Sequence, residues 1–145
     1  MGYRPPLQEL LSTVLHTYTA EFERQLADAG FPDLSLPLGT NVLRFLNDDG
    51  MRLTAVAELA GLSKQAISQQ VAYLEAHGYV TTAVDATDRR AKILLLTPRG
   101  RASQLVARRL FGEIEQRWHS RIGTDAMHQL RDSLEWAVRA LSTQK

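Results

Sequence analysis

Between Gly61 and Gly78 the chain sets Ser63, Lys64, Gln65, Ser68 and Gln69 close together, all polar side chains suited to recognising another polar surface. Ile67, Val71 and Leu74 recur at steps of four and three. On a helix those three share one inward stripe, and the polar set takes the opposite side. The major groove of B-DNA admits one α-helix, and such a face suits it. Glutamine pairs bidentately with adenine, lysine reaches guanine or a phosphate, and serine serves either. Ser63 stands where the helix should begin, and free backbone N–H groups at such an end favour a phosphate. The alternative is that these residues only solvate an exposed helix.

A second polar set follows at Asp88, Arg89 and Arg90, inside the charged connection 85–90. It lies between two short runs, 79–84 and 91–97, which read as paired strands. A guanidinium at a hairpin tip fits a narrow minor groove, where negative potential concentrates. Asp88 would be repelled by phosphate, so its expected part is to support the wing by holding an arginine in a bidentate pair. The alternative is a pair of solvated loop arginines. Lys92, Arg99 and Arg101 are candidate phosphate contacts, though each reads first as an ordinary surface charge.

The elements that must position these residues are legible from periodicity and stop signals. Leu7, Leu11, Val14, Leu15, Tyr18 and Phe22 form one stripe of a helix over about 7–29, stopped by Gly30 and Pro32. The segment 31–39, with two prolines, reads as a loop, and a short helix is expected over about 40–47. Thr54 is expected to cap a helix over 55–60, and Ser63 one over 64–77. Two helices joined by a Gly-containing turn make a helix-turn-helix. Thr97 and Pro98 open a long helix to about Ile122, carrying Val106, Leu110, Ile114 and Trp118 at four-residue steps. After Gly123 a last helix carries Met127, Leu130, Leu134, Val138 and Leu141. The expected fold is mainly α with a small β hairpin. It is a winged helix-turn-helix lobe over 38–98, flanked by long helical regions over 5–30 and 99–143, in one domain of 1–145.

Composition narrows the classes. The 145 residues are 44% hydrophobic and 23% charged, which fits a folded domain rather than a disordered chain. The net charge of +1 conceals a gradient. Residues 1–51 hold three basic and seven acidic groups, whereas residues 52–101 hold seven basic and four acidic. A basic middle third can serve nucleic acid if it lies on one face. No apolar run is long enough to span a bilayer, no signal core opens the chain, and Pro6 spoils the myristoylation pattern, so a cytoplasmic protein is expected. The count of Cys 0 removes disulfides, thiolate metal sites and thiol chemistry. His16, His77, His119 and His128 lack metal-ligand spacing, and His77 suits a helix C-terminus. Tyr18, Phe22 and Trp118 read as core or interface residues. No catalytic constellation, cofactor loop or metal site is expected, so the chain is not read as an enzyme.

The ordered motifs resemble one family. Asp85-Ala86-Thr87-Asp88-Arg89-Arg90, followed by a strand ending in Leu96-Thr97-Pro98-Arg99-Gly100, resembles the wing and next helix start of MarR-family transcription regulators. Leu62-Ser63-Lys64-Gln65-Ala66-Ile67-Ser68 and Leu74-Glu75-Ala76-His77-Gly78-Tyr79-Val80 resemble that family's recognition helix and its exit. The resemblance implies a homodimer with intertwined terminal helices, bound to a pseudo-palindromic double-stranded DNA site. By the family pattern Arg90 enters the groove, and Arg89 serves phosphate or an internal pair. The resemblance further implies a repressor, with release by a small-molecule effector as an option. The cysteine-sensing branch is closed to this chain, and no effector-pocket residue is assigned.

An independent argument also points to a dimer. Leu11, Val14, Leu110, Ile114, Leu130 and Leu134 exceed what one small winged helix can cover. Each costs about 1.5–3 kcal/mol if left in water. A two-fold partner would set the recognition helices about 34 Å apart, one turn of DNA. The competing function is a winged-helix adaptor that binds protein. Such a helix would present Leu, Phe or Tyr where this one presents Lys64, Gln65, Ser68 and Gln69.

Overall fold

The computed structural model describes residues 2–142. Met1 and 143–145, including the last residue of the expected 99–143 region, lie outside the described residues. The chain divides into two compact units, Met1–Leu110 and Phe111–Lys145.

In the first unit, α1 (Leu7–Asp28) is followed by α2 (Leu36–Asn41), a 3-10 turn (Leu43–Phe45) and β1 (Met51–Arg52). Next come α3 (Leu53–Ala60), α4 (Lys64–Ala76), β2 (Val80–Val84), β3 (Lys92–Leu96) and the opening of α5 (Pro98–Ile122). The early helix differs from expectation because Ser35 caps it, accepting from Leu38 N–H, with a proline in its first turn. A proline there forfeits no helical hydrogen bond, so Pro37 favours a helix where a loop was expected. Thr54 is not a cap. The chain runs from β1 directly into α3, with Arg52 in extended backbone at the cap position and no side-chain cap bond.

The sheet has three antiparallel strands in the order β1-β3-β2. Val80 pairs with Leu96 and Val84 with Lys92, while Arg52 pairs with Ile93 on the other side of β3. A two-stranded hairpin was expected. The third strand has only two residues, too few to show a period. Gly50 permits it, since a Cβ there would lie 2.8 Å from the Leu94 carbonyl oxygen.

Val42, Val56, Ile67, Leu74 and Leu94 are fully buried, as is Tyr79. Burying each aliphatic side chain contributes about 1.5–3 kcal/mol. Gln104 on α5 donates to the carbonyls of Leu43 (2.7 Å) and Leu46 (3.0 Å), satisfying the end of the 3-10 turn. The start of α5 approaches the exit of α4 so closely that a Cβ on Gly100 would sit 2.2 Å from the Tyr79 carbonyl oxygen. Only glycine fits that contact.

In the second unit, the C-terminal part of α5 and α6 (Thr124–Ser142) are joined at Gly123, whose φ is +95°. Arg131 of α6 pairs with Glu115 of α5 and, at 3.7 Å, with Glu135. The rings of His119 and His128 meet edge-on at 5.5 Å. Leu110 and Ile114 are buried within the single chain, so they do not require a partner to cover them, contrary to expectation.

Candidate nucleic-acid interface

The polar face of α4 is built by its ends and its inner stripe. Gly61 adopts the left-handed conformation (φ +68°) that closes α3, and its N–H donates to Glu58. Ser63 then caps α4, its Oγ accepting from Ala66 N–H at 3.1 Å, which leaves the hydroxyl proton to donate elsewhere. Ile67, Val71 and Leu74 are buried beneath the helix. Ser63, Lys64, Gln65 and Gln69 are exposed and Ser68 is half-buried. Gln70 belongs to a different set, because its Oε1 accepts from Asn41 Nδ2 at 3.4 Å. Tyr73 is also exposed on α4, but its hydroxyl donates to the Asp33 carbonyl (2.7 Å) and its ring lies 4.1 Å from that of His77.

The hairpin tip carries Arg89 and Arg90, both exposed. Asp88 supports the turn differently from expectation. Its Oδ1 accepts from the backbone N–H of Arg90 at 3.0 Å, and its carbonyl accepts from Ala91 N–H at 3.0 Å. An aspartate two residues ahead of an N–H closes an Asx turn locally, and among the described residues no guanidinium pairs with the carboxylate that was expected to hold one. The carboxylate that does hold one is Asp85. Its Oδ2 accepts from Arg52 Nε at 2.7 Å, and its Oδ1 accepts from the Thr87 N–H and hydroxyl, both at 2.8 Å. The two Thr87 donors, and then the Arg52 charge, hold the Asp85 carboxyl below the usual carboxylate range. Arg52 and Asp85 are 33 residues apart, and no sequence period links them.

A second polar node went unread in the sequence. Tyr79 is buried and its hydroxyl donates to Asp33 Oδ1, while Arg99 Nη2 donates to the Tyr79 oxygen at 2.9 Å. The Arg99 guanidinium lies 4.7 Å from the Tyr79 ring and 3.6 Å from Asp33. Burial, and then the Asp33 carboxylate, push the Tyr79 phenol up to about 12. Arg99 is thus tied into the lobe, and Arg101 pairs with Asp48 at 2.8 Å. Both were candidate phosphate contacts. Beside this node an open groove of about 580 Å³ is lined by Glu23, Asp33, Ser35, Leu38, Gln69 and Tyr73, among others.

Among the described residues no group of three or more His, Cys, Asp or Glu could hold a metal ion. Among the same residues no helix is long and apolar enough to cross a membrane. A helix-turn-helix with a polar outer face, followed at once by a charged hairpin, defines a winged-helix protein. Residues 37–91, which span the helix-turn-helix and most of the hairpin, match the family model described as MarR family. The fold is similar along nearly its whole length to the crystal structure of MarR, with a TM-score of 0.79, 21% identity, and coverage of 97% of this chain and 100% of that one. It is similar to Streptococcus pneumoniae FabT in complex with DNA, at TM-score 0.79, 17% identity and coverage of 96% and 97%. It is also similar to the transcriptional repressor CouR bound to a 23-mer DNA duplex, at TM-score 0.73, 26% identity and coverage of 94% and 92%. No curated protein sequence matches the chain.

Proposed function

We propose that this protein is a sequence-specific, double-stranded DNA-binding transcription regulator that acts as a dimeric repressor in the cytoplasm. The observation that carries the reading is the pairing of an exposed polar face on α4 with exposed arginines at the hairpin tip. Lys64, Gln65, Ser68 and Gln69 read base edges in the major groove, and Ser63 holds a phosphate at the helix N-terminus. Arg90 enters the neighbouring minor groove and Arg89 serves the backbone, with Asp88 holding the turn that presents them. The solved complexes of FabT and CouR with DNA support this use of the fold.

A second copy covers the apolar faces that the single chain leaves in water. Leu7, Leu11 and Leu15 of α1 are at least half exposed, and Trp136, Val138 and Leu141 of α6 are each at least 65% exposed. The helical regions 5–30 and 99–143 serve this dimer, and the 38–98 lobe serves DNA. Two lobes related by a two-fold axis call for a pseudo-palindromic site. Release by a small-molecule effector belongs to the same proposal, and the groove of about 580 Å³ beside Gln69 has the volume for one.

The test is selection from a random duplex pool at two salt concentrations, with sedimentation to count subunits. The expected outcome is an enriched inverted repeat bound by a dimer, with affinity falling steeply as salt rises. A protein that enriches no duplex at low salt refutes the reading.

A further inference from the structure

We infer that Arg52 and Asp85 are positioning residues for DNA binding, a brace that holds the hairpin tip in the pose from which Arg89 and Arg90 reach the groove. The inference rests on the DNA reading above. Its starting point is where the two residues stand in the sheet. Arg52 lies on edge strand β1 and Asp85 directly follows edge strand β2, with β3 between them. Arg52 pairs with Ile93 and Val84 with Lys92, so both residues sit at the tip end of the sheet. Their ion pair joins the two edges across the end of β3. A two-stranded hairpin is marginal in water, and a two-residue third strand adds few backbone bonds. The side-chain link adds to the backbone bond from Asp85 N–H to the Ala91 carbonyl (3.0 Å) and ties β1 to this end of the hairpin.

From that link a continuous chain of bonds leads to the arginines. Arg52 Nε donates to Asp85 at 2.7 Å, and Asp85 accepts from Thr87 N–H at 2.8 Å. The next residue, Asp88, accepts from the N–H of Arg90 at 3.0 Å. Electrostatics favour the same arrangement. Asp85 is a carboxylate in an element meant to approach phosphate. Its side chain is only 9% exposed and its charge is matched by Arg52, so it adds little repulsion. Arg52 directs Nε to Asp85 and Nη2 to Asp85 and Thr87, and the brace assigns it to positioning the wing rather than to a phosphate.

Asp85→Asn separates the possibilities, since an amide can still accept from Thr87 but no longer offers Arg52 a charge. If Arg52 were itself a DNA contact, this variant would free a cation, remove an anion and bind duplex more tightly. The brace requires the opposite: affinity falls about tenfold, within the range found for members of one hydrogen-bonded network. In the Asp85→Asn background, Arg90→Ala then costs much less than it does alone, while Gln69→Ala costs the same in both. In the free protein, amide exchange at Thr87 speeds up and exchange in the middle of α4 does not. Tighter binding, an undiminished effect of Arg90→Ala, or unchanged exchange at Thr87 overturns the brace. Failure of the unmodified protein to bind any duplex appears separately, as a flat titration, and overturns the DNA reading together with the inference built on it.

Discussion

Arg90→Ala is the sharpest test of the hairpin tip. The side chain is exposed, and its guanidinium makes no hydrogen bond or ion pair among the described residues. Removing it should leave folding stability within about 0.5 kcal/mol, as for other surface positions. The bond that holds the turn, from Arg90 N–H to Asp88, belongs to the backbone and survives the substitution. Any change in DNA binding therefore reports the lost charge. Each neutralised phosphate contributes about 0.9 to the slope of log affinity against log salt, so two copies of Arg90 in a dimer contribute about 1.8. Across a fourfold rise in salt, from 50 to 200 mM, the variant's deficit should shrink about twelvefold relative to the unmodified protein. Fluorescence anisotropy on one labelled duplex at several salt concentrations measures this directly. An unchanged slope, with thermal stability intact, removes Arg90 from the DNA contact and takes the wing out of the site.

The remaining predictions concern the parts that hold the site in place. Ser63→Asp should keep the cap on Ala66 N–H, whereas Ser63→Ala should lose about 1 kcal/mol of stability. The aspartate should nonetheless weaken duplex binding more than the alanine, because it sets a negative charge against phosphate; equal binding by the two variants would refute the phosphate contact. Tyr79 ionises at about 12 in the folded chain against 10.0 when unfolded, so its share of stability is complete below pH 10 and is lost between pH 10 and about 12. Denaturant titrations through that window should show a fall that Tyr79→Phe abolishes. Gly100→Ala would place a methyl 2.2 Å from the Tyr79 carbonyl oxygen. The start of α5 must shift, at a cost of about 1–3 kcal/mol in chemical denaturation; an unaltered midpoint would show that the contact is not tight.

Local chemistry made much of the winged-helix lobe legible in advance. Ser63 and Gly78 bound α4, and the stripe of Ile67, Val71 and Leu74 determines which side of it faces water. Those signals act within a few turns of chain, so they are present in the order of residues. Pro98 marks the first turn of α5 for the same reason. The proline of α2 shows where this fails, because the same residue type opens a helix or ends one according to its place in the turn.

The long-range contacts of the lobe are of another kind. Arg52 meets Asp85 across 33 residues, and Tyr79 meets Asp33 across 46. No periodicity connects such partners; they meet only once β1, β3 and β2 lie side by side and α5 packs against the exit of α4. Asp88 could be picked out as an acidic residue beside two arginines, but whether it or Asp85 held a guanidinium depended on which side chain the folded sheet left unsatisfied. The sequence alone thus determined which residues of α4 face water, because the helical period is local. The tertiary structure decided what holds them there, because an ion pair between sheet edges exists only after those edges have been brought together.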